Sequence, residues 1–128
     1  MWEEFDEKEL LGKVISEIDG KAGDEEMIFT MSNGDRYKFY HSQDCCETVL
    51  LEDICGDLSD IIGEPLLIAE EITNSEENPS DANPETIEWQ ESFTWTFYRF
   101  ATKKGTVTIR WYGESNGYYS ESVEFVKL

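Results

Sequence analysis

Two runs of alternating side chains flank an Asn-Gly pair in the first third of the chain. Met27, Phe29 and Met31 alternate with Ile28 and Thr30, and Tyr37, Phe39 and His41 alternate with Lys38 and Tyr40. A period of two puts alternate side chains on one face of a strand. Asn33-Gly34 between the runs predicts a β-hairpin, because both residues tolerate a positive φ in a tight turn. Upstream, Glu3–Leu11 is charged with scattered apolar residues and reads as a short helix or an irregular lead-in. Val14–Asp19 is β-branched enough to open a sheet.

The middle of the chain is less periodic. Leu51, Ile54, Leu58, Ile61 and Ile62 fall at helical spacing, while Thr48–Leu51 suits a strand equally well. Asp57 as an N-cap, Asp60 three positions later, and Gly63 followed by Pro65 predict a short helix over 57–62. Leu66–Ile72 predicts another strand. Asn74–Thr86, NSEENPSDANPET, has two prolines and no large apolar residue, and predicts an exposed acidic loop.

The last third predicts a three-stranded meander. Trp89, Glu91, Phe93, Trp95 and Phe97 share one face, with Gln90, Ser92, Thr94 and Thr96 opposite. Lys103-Lys104-Gly105 turns the chain into a strand lined by Val107, Ile109 and Trp111. Gly113–Gly117 turns it again toward Tyr119, Val123 and Phe125. The fold class expected is mainly β (α+β): an antiparallel sheet or sandwich of about seven or eight strands with one or two short helices. Residues 1–128 are expected to form one compact domain, with the acidic loop at about 74–86 exposed.

Charge changes the picture most. The 128 residues carry a formal net charge of −19, from 29 acidic and 10 basic residues. Between Lys38 and Arg99 lie 60 residues with 15 Asp and Glu and no Lys or Arg. Such a block repels nucleic acid and anionic membranes and attracts a cationic protein surface or a metal ion. High solubility is the competing explanation. Disorder is not expected, since 39% of residues are hydrophobic and 13% aromatic. The opening Met1-Trp2-Glu3-Glu4-Phe5-Asp6 lacks the features of a secretory signal, and three cysteines, Cys45, Cys46 and Cys55, suit a reducing cytoplasm. All three are expected as free thiols, because a bridge between adjacent cysteines is strained.

Candidate chemistry is sparse. Tyr40-His41-Ser42-Gln43-Asp44-Cys45-Cys46-Glu47 holds the only histidine. In an extended segment His41 and Cys45 lie about 13 Å apart, too far to share one ion. In a helical segment His41, Asp44, Cys45 and Thr48 fall on one side, and Cys55 adds a thiolate from the following loop. Paired C-x₂-C or H-x₃-H spacing is absent. The alternative is a strand ending in a bend, with His41 continuing the Tyr37–Phe39 face. A Cys–His nucleophile lacks a cation or helix N-terminus to lower the thiol pKa. No nucleophile elbow and no phosphate-binding glycine loop occurs. Around the third turn, Tyr112 and Tyr118 are the outward candidates for an aromatic contact.

Four stretches, YHSQDCCE (40–47), EDICGDLSDIIGEP (52–65), SFTWTFYRFAT (92–102) and TIRWYGESNGYYSESV (108–123), together resemble an uncharacterised domain-of-unknown-function family of small bacteriophage and bacterial proteins. The resemblance implies a small cytosolic phage or prophage protein and supplies no activity, cofactor or catalytic residue.

The expected function is therefore a small acidic phage-type accessory protein, not an enzyme. It binds a basic surface of a host protein, inhibiting a nucleic-acid-binding or defence enzyme, without direct contact to nucleic acid or membrane. Its contact residues are expected to be Glu52, Asp53, Asp57, Asp60, Glu70, Glu71, Tyr112 and Tyr118. No cofactor is expected. The alternative is a small-ligand or metal-binding protein, with zinc held by His41, Asp44, Cys45 and Cys55.

Overall fold

The computed structural model describes residues 4–128, so Met1–Glu3, where the expected lead-in begins, lie outside the described residues. A short 3-10 turn, Glu7–Glu9, precedes eight strands. These are β1 (Ile15–Asp19), β2 (Glu26–Met31), β3 (Arg36–Tyr40), β4 (Thr48–Cys55), β5 (Ile68–Asn74), β6 (Ser92–Thr102), β7 (Gly105–Ser115) and β8 (Glu124–Lys127). A second 3-10 turn, Leu58–Ile61, separates β4 from β5, and one α-helical turn, α1 (Pro84–Ile87), precedes β6. The strands form two antiparallel four-stranded sheets, ordered β1-β2-β3-β8 and β4-β7-β6-β5. The mainly β, antiparallel class expected from the pattern is the class observed.

The alternating runs explain how the sheets meet. Met27, Phe29, Met31, Tyr37 and Phe39 are all buried on the inner face of the first sheet. Leu51, Tyr98, Phe100, Val107, Ile109 and Trp111 answer them from the second. Rings cross the gap: Phe39 meets Tyr98 with centroids 4.8 Å apart, and Phe29 meets Phe100 at 5.2 Å. Edge-to-face contacts of this kind add to the stabilisation from burial itself.

The Asn33-Gly34 hairpin forms, but the turn differs from the tight two-residue type. Met31 N–H donates to the Asp35 carbonyl at 2.7 Å, leaving Ser32, Asn33 and Gly34 as the connection. Only Gly34 takes a positive φ, +93°, as a three-residue loop requires. Asp57 does cap the next segment, accepting from Ser59 N–H at 2.9 Å, but that segment is a 3-10 turn rather than a helix over 57–62.

Two expectations for the last third are corrected. The core face of β6 is the one carrying Tyr98 and Phe100, not the one carrying Phe93, Trp95 and Phe97. Trp95 is fully buried, yet on the outer side of the sheet, beneath the segment that runs from β5 to β6. The meander also breaks after its second strand. β8 crosses to the other sheet and pairs with β3, Phe39 opposite Phe125, because β7 is already paired on both sides, by β4 and β6, and offers no edge for a third strand.

Gly113 marks the tightest approach. A Cβ there would lie 2.5 Å from the Glu121 carbonyl oxygen, where the chain folds back over β7 before β8. Gly113→Ala is expected to cost about 2 kcal/mol in urea denaturation, an overpacking penalty; an unchanged midpoint would show that the 115–123 segment does not pack there.

Candidate functional site: an acidic groove beside an arginine-anchored loop

The loop between β5 and β6 is exposed but fixed. Its anchor is Arg110 on the outer face of β7, whose Nε and Nη2 donate to the two carboxylate oxygens of Glu52 at 2.5 and 3.1 Å. Nη1 donates to Asp81 Oδ1, from the loop, at 2.8 Å. The guanidinium lies 5.1 Å from the Trp95 ring centroid. Trp95 in turn donates its indole N–H to Asn78 Oδ1 at 2.9 Å, and Asn78 donates to Gln90 Oε1 at 2.6 Å. Gln90 Nε2 donates to the Tyr112 hydroxyl at 2.7 Å, which donates to Glu114 Oε2 at 2.9 Å. Every polar group of this layer is matched, which is the condition for a buried network to stabilise. The Arg110 guanidinium holds the Asp81 carboxyl below its ordinary range, and burial pushes the Tyr112 hydroxyl up to about 12.

Held this way, the loop walls a groove against the β4 side of the sheet. One cleft, of about 220 Å³, is lined by Cys46, Thr48, Trp89, Glu91, Glu114, Ser115 and Asn116. The next, of about 470 Å³, runs past Leu50, Glu52, Glu85, Thr86 and Tyr112 to Gly23. Thr48 and Glu114, cross-strand partners on β4 and β7, line both and make them one groove. Four glutamates face it, 52, 85, 91 and 114, and no Lys or Arg does. Among the described residues no basic side chain pairs with Glu85, Glu91 or Glu114. Trp89, 85% exposed, stands at one end.

The acids singled out from sequence do not form one face. Glu52 and Asp53 lie on β4, while Glu70 and Glu71 lie on β5, the opposite edge of the same sheet. Glu52 is bound to Arg110, and Glu70 accepts from Arg99 Nε at 2.5 Å. Glu71 accepts from the Tyr98 hydroxyl at 2.6 Å, and partial burial raises its pKa. Asp57 caps the second 3-10 turn, and the two Ser59 hydrogen bonds lower its pKa. Asp60 belongs to that turn, at the end where Lys103 and Lys104 turn β6 into β7. Tyr118 is 83% exposed, as an outward residue should be. Tyr112, expected outward, points away from the core but is 3% exposed, because the loop covers it. Trp89, Glu85, Glu91 and Glu114 were not singled out as contact residues. Glu85, Trp89 and Glu91 come from one short stretch before β6, and the pairing of β6 with β7 and of β7 with β4 sets Glu114 and Thr48 beside them.

The metal-ligand set is not assembled. His41 Nδ1 donates to the Ser122 carbonyl at 2.7 Å and Nε2 meets Glu47 Oε2 at 2.8 Å, so neither ring nitrogen is free for a metal. Cys45 and Cys46 are joined in a vicinal disulfide rather than held as free thiols. The physical reason is a tight bend, in which the Glu47 carboxylate collects the N–H groups of Asp44 and Cys45 and turns the two side chains together. Cys55 is a free, exposed thiol at the far end of β4. Among the described residues no three His, Cys, Asp or Glu side chains converge on a metal position. The buried acid here is Glu47, held at about 2 by the His41 hydrogen bond and by the backbone N–H groups it accepts.

Among the described residues no helix is long and apolar enough to cross a membrane. Residues 8–125 match the model of a domain of unknown function, DUF7448. The chain belongs to the DUF7448 family. No curated protein and no solved structure matches it. In this DUF7448 domain the match takes in β1 to β7, the first half of β8, the anchored loop and the whole groove.

Arg110→Ala, which strands Glu52 in a half-buried position, is expected to cost about 3–5 kcal/mol in urea denaturation and to expose the 75–91 loop to protease. Asp81→Asn should change stability far less, since Asp81 sits in solvent. Glu47 predicts the acid limb of stability. Its pKa falls from 4.5 unfolded to about 2 folded, so its contribution is complete above pH 4.5 and is lost as pH drops toward 2. Glu47→Gln should flatten the unfolding midpoint over that window; an unchanged acid slope would remove Glu47 from the account.

Proposed function

We propose that this chain is a small acidic accessory protein of phage type that acts in the cytoplasm of the host cell by binding a cationic surface of a host protein. A nucleic-acid-binding or defence enzyme is the target class whose basic face fits, and the chain would block it by occupying the surface that nucleic acid uses. The role is binding rather than catalysis. One observation carries the reading: a fixed groove faced by Glu85, Glu91 and Glu114 without a basic partner among the described residues, beside Glu52 held by Arg110, lined by no Lys or Arg, with an exposed tryptophan at its end.

The physics supports a partner rather than mere solubility. Glutamates scattered over a surface serve solubility, whereas glutamates converging on a cleft repel one another and weaken the fold. A basic surface relieves that repulsion, and the shared field speeds encounter. Aromatic side chains such as Trp89 and Tyr118 are the residue types that dominate protein–protein contacts. The small-ligand and metal reading has no comparable support, because the His41–Glu47 segment spends its polar groups on its own backbone and on Ser122.

Purified bacterial nucleases and helicases with basic nucleic-acid clefts provide the test, with affinity measured at about 0.05 M and about 0.5 M salt. At least one is expected to bind with affinity that falls about tenfold or more across that range. The triple substitution E85Q/E91Q/E114Q is expected to weaken the same complex. Binding indifferent to salt and to the triple substitution would overturn the proposal, as would failure of every basic enzyme tested to bind.

A further inference from the structure

Resting on that reading, we infer that the Trp89 end of the groove is a receptor for an arginine side chain supplied by the partner protein. The fold contains its own precedent. Beneath the loop, Arg110 lies against the Trp95 ring while Glu52 and Asp81 take its N–H groups. The Trp89 cleft repeats the same residue types, an indole with two carboxylates, Glu91 and Glu114, and contains no basic residue. Unlike Trp95, Trp89 is uncovered.

Three features favour arginine over other cations. A guanidinium is planar and stacks on an indole face, and it is weakly hydrated, so seating it costs less than seating an ammonium. It carries five N–H donors in a fixed fork, and the cleft presents acceptors in several directions: the Glu91 carboxylate, the Glu114 carboxylate beyond its Tyr112 hydrogen bond, and the Thr48 hydroxyl, while Asn116 Oδ1 and Ser115 Oγ already accept from Tyr118 and Gly117 N–H groups. A volume of about 220 Å³ accommodates one such side chain rather than a folded segment. Charge repulsion weighs against a second copy of this chain as the occupant, since each copy carries −19 and the cleft is itself acidic.

The probe is a set of blocked tripeptides, Gly-Arg-Gly, Gly-Lys-Gly and Gly-citrulline-Gly, titrated against the full chain with the Trp89 indole N–H and, in parent and W89A alike, the backbone N–H groups of Glu91, Ser115 and Asn116 followed by nuclear magnetic resonance. The arginine peptide is expected to shift that resonance and to bind several-fold more tightly than the lysine peptide; citrulline, equal in shape but neutral, should not bind. W89A, at a position outside both cores, should keep the fold by circular dichroism and lose about tenfold or more in arginine-peptide affinity. E76Q/E77Q, in the same loop but outside the cleft, should bind the arginine peptide as the parent does. Equal binding of the arginine and lysine peptides, or of the arginine peptide to W89A and parent, overturns the arginine receptor. If a basic enzyme then still binds in a salt-dependent way, the wider reading stands without it; if the peptide shifts Trp89 while no basic enzyme binds, the receptor stands and the wider reading falls.

Discussion

A buried guanidinium holds the acidic half of this molecule in place. Arg110 sits on the outer face of a sheet, where a charge would ordinarily reach water, and the chain covers it instead. Glu52 from the neighbouring strand and Asp81 from the loop take its donors, and Trp95 takes its face. A buried charge is tolerated only when its partners are complete. The loop supplies the remaining acceptor, Asp81, and covers Trp95 and Tyr112, so it cannot leave without returning one guanidinium N–H to water and uncovering two aromatic rings. That requirement turns a polar, proline-bearing segment into a wall.

The rest of the charge pattern follows from where cations are kept. Arg36, Lys38 and Lys127 lie on β3 and β8 of the first sheet, and Lys103 and Lys104 close the β6–β7 turn. Arg99 is paired with Glu70 on the β5 side. Arg110, the one basic residue next to the groove that joins the loop network, is consumed internally. Among the described residues Glu85 and Glu91 therefore face solvent without a basic partner, and Glu114 has only the Tyr112 hydroxyl, in a fold whose stability comes from the ring-filled space between the two sheets. The core neither needs these glutamates nor touches them. Their convergence on one cleft beside Trp89 is the observation that supports the proposed binding surface.

Much of the scaffold was legible because its causes are local. Alternation over 27–31 and 37–41 names a buried face, Gly34 supplies the one positive φ the hairpin needs, and Asp57 caps the turn that follows it. The site was barely legible because its causes are not local. Trp95 alternates with Phe93 and Phe97 just as a core residue would, and only the loop folding over it reveals a second apolar layer outside the sheet. Tyr112 was read as outward on correct alternation and is buried for the same reason. Cys45 and Cys46 were read as thiols from an expected reducing setting and from their adjacency, whereas the bend that joins them is drawn by Glu47.

By itself the sequence determined an antiparallel β protein, its first hairpin, the strands that line its core, and a long stretch without a single Lys or Arg. Those follow from side-chain period, turn chemistry and composition, which act between near neighbours. Tertiary structure alone decided that β8 joins the far sheet, that Arg110 binds Glu52 across 58 positions, and that glutamates 52, 85, 91 and 114 share one groove. Charge and hydrogen bonds are settled by distance in space. Between residues so far apart in the chain, that distance is set by how the sheets pack.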